Sequence, residues 1–216
     1  MRMALRIHSS PTSTLKDRLV QALAGQSVNA SVTKVQIKDS SGNVLGEVSV
    51  SSSNWSGYTL AVDITISQGG TVDHFALVAS DGAELFTYTP TSFSVNAGDV
   101  VHIEWTISLS PGSNMNSVSS RILDFIIGAV SDIAIAEVVF ANGGAAQLVD
   151  TPDSVSPDTA NDKVTVSGSV TIGSSEVVYD EVWLRDSAGN DLFKLSASGY
   201  LEPNTTYDYT IEVSIT

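Results

Sequence analysis

The sequence predicts a mainly β protein made of two tandem antiparallel β-sandwich units, each preceded by a short α-helix. Three observations carry this expectation. Runs rich in Val, Ile, Thr and aromatic residues recur at short intervals, many of them alternating apolar and polar as half-buried strands do. Between them stand turn signals in which Asp or Asn is followed by small residues and Gly. Finally, the chain resembles itself: "RLVQALAGQSVNASVTKVQI" (18–37) lies without a gap on "RILDFIIGAVSDIAIAEVVF" (121–140), and "VHIEWTIS" (101–108) lies on "YTIEVSIT" (209–216). Such self-similarity indicates a duplicated unit, and it places the two units at 1–112 and 113–216.

Residues 5–11, "LRIHSSP", alternate like a strand and end in Ser-Pro, as "TISLSP" (106–111) does. The N-terminal stretch therefore reads as a last strand with no unit in front of it. A helix follows over "STLKDRLVQALAG", with Thr14 as N-cap, Asp17 three residues on, Leu15, Leu19 and Leu23 at four-residue spacing, and Gly25 as the stop. Strands are then expected at 32–37, 44–50, 58–66, 72–79, 84–89 and 100–109. "SVSSRILDFIIG" repeats the helix pattern and ends at Gly128, although a strand over "RILDFII" also fits; its nearly all-round apolar surface points to burial. The second unit continues with strands at 133–140, 146–149, 163–172, 177–184, 191–197 and 207–215. Short strands in this number fit a sandwich of jelly-roll or immunoglobulin-like form.

Two near-twin stretches, "KDSSGNVLGEV" (38–48) and "RDSAGNDLFKL" (185–195), raise the possibility of calcium loops. They read instead as hairpin turns with a bulge. Gly stands where a positive φ is needed, and a helix-loop-helix calcium loop would place its Gly and its chelating Glu elsewhere.

Composition narrows function mainly by exclusion. Of 216 residues, 24 are Asp or Glu and 10 are Lys or Arg, giving a net charge of −14, which argues against nucleic acid as a partner because phosphate contacts need a cationic face. Cysteine is absent, so disulfides and thiolate metal sites are excluded. No apolar run is long enough for a membrane-spanning helix, and Arg6 interrupts what would be the apolar core of a secretion leader. The charges are also unevenly placed: residues 1–38 hold six basic side chains and one acidic, and the remainder holds four basic and 23 acidic. A basic arm on an acidic chain suggests docking on an acidic partner, another copy of the chain among them.

Catalytic motifs are missing, and the chain is not expected to be an enzyme. His8, His74 and His102 stand apart; His74 beside Asp73 and His102 near Glu104 read as outward strand positions. No cofactor is expected. The weak candidates for calcium are Asp150, Asp153, Asp158 and Asp162, in a loop at 150–162. Trp55 and Tyr58, in the polar stretch "SSSNWSGYT", could form an aromatic platform for a sugar ring. Arg2, Leu5, Arg6 and Ile7 are the candidates for an assembly arm. Residues 1–11 should add as a strand to a neighbouring sheet edge and should be removable without unfolding the rest.

"GYLEPNTTYDYTIEV" (199–213) resembles the L-x-P-x-T-x-Y corner that leads into a late strand of fibronectin type III modules, which implies a sandwich and no particular function. In organisation, with tandem β modules, few charges and many Ser, Thr and Gly, the chain resembles the tandem sandwich modules of viral turret, capsid-decoration or tail proteins. That resemblance implies a structural component of a virion that partners itself, as a homo-oligomer, and other structural proteins of the particle. The alternative is a glycan-binding module of an adhesin or surface layer at the cell surface.

Overall fold

The computed structural model describes residues 2–110 and 115–215, with the backbone alone at Arg2 and at Met115–Val118. The chain is mainly β, with 54% strand and 12% helix, in several sheets whose pairings are antiparallel with one exception. It divides into two compact units: Met1–Leu15, Asn29–Leu109 and Leu123–Ala129 form the first, and Lys16–Val28, Ser110–Ile122 and Val130–Thr216 the second. The division runs through both helices, so neither helix simply heads one unit.

The first part of the chain runs β1 (Arg2–Ser9), α1 (Ser13–Leu23), β2 (Lys34–Lys38), β3 (Val44–Ser49), β4 (Trp55–Ser56), β5 (Thr59–Thr65), β6 (Gly70–Val72), β7 (His74–Val78), β8 (Glu84–Tyr88), β9 (Phe93–Val95) and β10 (Val100–Ile107). One sheet has the order β1-β10-β5-β4, a second β3-β2-β7-β8, and β6 pairs with β9. The strands form where the alternation predicts them: Leu60, Val62 and Ile64 of β5, and Val101, Ile103, Trp105 and Ile107 of β10, are all buried, and polar neighbours separate them.

The second part runs β11 (Met115–Val118), α2 (Ser120–Ile126), β12 (Ile135–Asn142), β13 (Ala145–Asp150), β14 (Ser154–Asp158), β15 (Lys163–Thr171), β16 (Val177–Asp186), β17 (Asp191–Leu201) and β18 (Thr206–Ser214). Its sheets have the orders β11-β17-β16-β12-β13 and β14-β15-β18. The core here is drawn from Val138, Phe140, Val182, Leu184, Leu192 and Phe193 of the larger sheet and Val164, Val166 and Val213 of the smaller.

Both helices stop as their glycines foretell. Gly25 takes φ +77°, its N–H donates to the Ala22 carbonyl at 2.9 Å, and that of Gln26 reaches back to Gln21 at 2.9 Å. Gly128 repeats this, with its own N–H on Phe125 at 3.1 Å and that of Ala129 on Asp124 at 2.8 Å. This double bond pattern closes a helix around a left-handed residue. The start of α1 differs from expectation. Thr12 rather than Thr14 caps it, its Oγ1 accepting from the Leu15 N–H at 3.2 Å while donating to the Glu84 carbonyl at 2.9 Å. A hydroxyl that already meets β8 is better placed to cap than one a half-turn inside.

The near-twin stretches are turns of one geometry. The Asp39 carboxylate accepts from the Ser41 and Asn43 N–H groups at 2.9 and 2.8 Å and from Asn43 Nδ2 at 2.8 Å. Asp186 does the same with Ala188 and Asn190 at 3.0 and 2.9 Å. Gly42 and Gly189 sit at φ +81° and +78°, and each pairing shifts register at the turn, as a bulged hairpin requires. The surroundings separate the two. Asp39 lies near the surface, whereas Asp186 is 2% exposed and also accepts from Arg121 Nε at 2.9 Å. Burial alone would raise the Asp186 pKa, but the donors from Asn190, Arg121 and Ala188 outweigh it and hold the carboxyl below the usual Asp value.

A group held below its unfolded pKa stabilises the fold fully above that value and loses the contribution as pH falls through the folded one. Asp186→Ala should therefore cost about 2–4 kcal/mol near neutral pH, since it strips a buried carboxylate from its donors. The penalty should shrink below about pH 4, where the unfolded Asp takes up its proton. Urea unfolding across pH measures both, and Asp39→Ala should lose much less.

Candidate functional site

The N-terminal strand is not an orphan. β1 runs parallel to β10 over its full length, from Arg2 opposite Val100 to Ser9 opposite Ile107. Its inward residues are Met3, Leu5, Ile7 and Ser9. Ile7 is 1% exposed, and Ser9 Oγ accepts from the fully buried Trp105 at 2.9 Å. Outward stand Ala4, Arg6 and His8, all exposed; Arg6 Nε donates to Glu104 at 2.7 Å while most of its side chain stays in solvent. The Arg2 side chain lies outside the described residues. Beyond β1 the chain crosses to β8, where Pro11 bridges to Phe86 and the Thr12 N–H donates to Leu85. The segment thus closes the first unit between its last strand and β8. Ile7 and Ser9 are therefore part of the packing around Trp105, and residues 1–11 do not stand apart from the unit as a free arm.

The acidic stretch at 150–162 is not one loop. Val155 and its neighbours form β14 on β15, followed by a 3-10 turn at Thr159–Asn161, and strand pairing spaces the carboxylates apart. Asp150 accepts from the Tyr209 hydroxyl at 2.6 Å, Asp158 from Asn161 Nδ2 at 2.8 Å, and Asp162 meets Lys16 at 3.5 Å, while Asp153 is exposed ahead of β14. Among the described residues no three His, Asp or Glu side chains gather as a metal site would need.

Trp55 is folded inward, 9% exposed, and its Nε1 is buried with no acceptor among the described residues. Tyr58 is half-buried and donates to Asp124 at 3.3 Å. Trp55 is thus turned away from solvent, and the Tyr58 hydroxyl is engaged by Asp124. The histidines pair across strands and not with their sequence neighbours. His74 meets Glu84 at 3.0 Å and His102 meets Asp63 at 2.6 Å. Burial would raise the Glu84 pKa, but hydrogen bonds from Lys38 and His74 outweigh it and lower the group.

The sequence did not single out the place where the second unit departs from the first. β18 has β15 along one side, and among the described residues no strand lies along the other. Tyr209 and Ile211 are half-exposed at positions that the repeat aligns with the buried Val101 and Ile103. Beside them opens a groove of about 450 Å³, lined by Val182, Leu195, Ala197, Ile211 and Glu212 among others. The outward side chains of β18 are Thr206, Asp208, Thr210, Glu212 and Ser214, all exposed. The half of the closure that touches the neighbouring sheet is kept, with β11 on β17 and the Ser119 N–H donating to Leu192 as Thr12 does to Leu85. A signal was present in the repeat itself. No β1-like alternation was aligned in front of the second helix apart from "TISLSP", which begins inside β10.

Two tyrosines hold this side of the unit together. Tyr209 lies over Gly168 and Tyr179 over Gly199, each so close that a Cβ on the glycine would collide with the ring. Both meet Phe140 edge-on, at 5.2 Å for Tyr179 and 5.9 Å for Tyr209. Burial and the bond to Asp150 push the Tyr209 pKa up, so the hydroxyl remains a donor. Nearby, the Tyr207 hydroxyl accepts from the Glu202 N–H at 2.9 Å, the corner bond that the fibronectin-like stretch implies.

Compared with known proteins, the chain matches no family model, no curated protein and no solved structure. No helix among the described residues is long and apolar enough to cross a membrane.

If β1 is structural as well as exposed, Ile7→Ala should destabilise the fold by about 2–5 kcal/mol, the cost of emptying a buried aliphatic site. Ala4→Ser, on the outward side, should be close to neutral. Denaturant midpoints for the two variants give the comparison.

Proposed function

We propose that this chain is a structural subunit of a larger assembly, a virion surface, decoration, turret or tail component, that works through protein–protein contacts. We take its scaffold to be two tandem antiparallel sandwiches. Supporting this, Phe140 and Tyr209 touch from different sheets of the second unit, and Gly46 of β3 lies so close to β5 that a Cβ would stand 3.0 Å from the Thr65 carbonyl.

The observation that carries the functional reading is β1. It is an eight-residue edge strand whose outward side chains include Arg6 and His8, on a chain otherwise strongly acidic. Long edges left open invite pairing with another chain. Charge of opposite sign favours the encounter and the choice of partner more than the final affinity. The purified full chain should form concentration-dependent oligomers in sedimentation velocity, visible as repeating particles or strings by negative-stain microscopy. Association should weaken as salt rises, because exposed charges are screened within about 10 Å at 0.1 M salt. A chain that sediments as a monomer at every concentration would remove this reading.

A further inference from the structure

Among the described residues, the sheets of three or more strands end in eight edge strands, β6 and β9 forming only a three-residue pair, and the eight are not equally available. β4 has two residues and β11 four; β14 carries Pro157, which cannot donate; β8 is bridged by Pro11 and Thr12; and the Leu45 carbonyl of β3 is taken by Ser67 and Gln68. β13, six residues long, remains uncovered but is shorter. The two longest edges are β1, with eight residues, and β18, with nine. Their outward side chains differ in sign: on β1 stand Arg6, ion-paired to Glu104 at 2.7 Å, and His8; on β18 stand Asp208 and Glu212, the latter ion-paired to Lys163 at 2.7 Å. Edge charges of one sign repel a copy of themselves, so β1 against β1 and β18 against β18 are disfavoured while β1 against β18 is attractive.

The repeat adds a second argument. A chain has two last strands, β10 and β18, and only one strand of the β1 kind among its described residues. If β1 moved from its own β10 to a neighbour's β18, one of the two last strands would have no described strand along that side. Both are flanked only if β1 stays on β10 and offers its other side. We infer that the outer edge of β1 in one copy pairs with the β18 edge that no described strand flanks in a second copy, so that subunits join head to tail through a continuous sheet. The half-exposed Met3 and Leu5 of β1 would then lie beside β18 of the acceptor, where Ile211 lines the groove. Such a contact is heterologous and propagates into a ring or an open string. This inference rests on the assembly reading and names its interface.

Charge-swapped chains test it. Arg6→Glu with His8→Glu makes both edges acidic, and Asp208→Arg with Glu212→Arg makes both basic. Each variant alone should need on the order of tenfold more protein to assemble, a change of about 1.4 kcal/mol, while circular dichroism stays that of the parent. Mixed in equal amounts, the two should assemble again, because each acidic edge then meets a basic one. The absence of cysteine allows a lock: Ala4 and His102 are register partners, and Ala4→Cys with His102→Cys, once oxidised, fastens β1 to its own β10. The locked chain should assemble like the parent. Loss of assembly on locking would show that β1 leaves its unit and would overturn shared-edge pairing. So would assembly that neither charge variant disturbs, although the assembly reading would then survive. A parent chain that never associates would overturn both.

Discussion

The first unit is closed by one parallel pairing. β1 lies along β10 for eight residues, and this alignment lets Ile7 and Ser9 finish the wall around Trp105. Every other pairing among the described strands is antiparallel, and six hairpins, β2–β3, β4–β5, β7–β8, β12–β13, β14–β15 and β16–β17, need only local turns to form. β1 is different. A parallel neighbour cannot be reached by a tight turn, so the polypeptide must travel through the whole unit before the closing partner exists. The burial of Ile103 and Trp105, the capping of α1 by a Thr12 that also touches β8, and the single free side of β1 all follow from that placement.

How much of this was legible depends on the range of the physics. Turns are local, and Gly42 and Gly189 in near-identical contexts announced bulged hairpins correctly because the Asp carboxylate and the left-handed Gly act within five residues. Helix stops at Gly25 and Gly128 were legible for the same reason. Alternation located the longer strands, such as β5, β10, β15 and β18, but not the short β4, β9 and β11, and the Tyr207 corner was visible because its bond spans only five residues. What failed was non-local. The partners of His74 and His102 are Glu84 and Asp63, ten and 39 residues away, and no spacing rule announces them. The acidic stretch read as a loop because Ser and Asp are poor strand formers, yet β15 supplied a template that drew 154–158 into a sheet. The side of β18 that no described strand flanks was hidden most deeply, since a repeat alignment records which residues recur and not which strands they pair with.

The aromatic contacts of the second unit show how a sheet with glycines in its strands is kept from loosening. Gly168 and Gly199 offer no side chain to pack, and Tyr209 and Tyr179 lay their rings across those gaps from the register-paired positions, with Phe140 between them. Cross-strand aromatics over glycine supply contact that the glycine cannot. The cost is specificity of place. With these rings fixed over their glycines, β18 is held rigidly on its β15 side, and the half-exposed Ile211 is left on the other.

The parallel closure also sets a schedule. Arg6 and its partner Glu104 are 98 residues apart in the chain, so at ribosomal speeds of about 5–20 residues per second roughly 5–20 seconds separate the making of β1 from that of its mate. Contacts this distant in sequence slow folding, because a large loop must be ordered before they repay its entropy. Through that interval β1 is a solvent-exposed, alternately apolar strand without a sheet. Its polar interruptions at Arg6 and His8 then serve a second purpose, keeping the waiting strand from finding the wrong companion while the rest of the unit emerges.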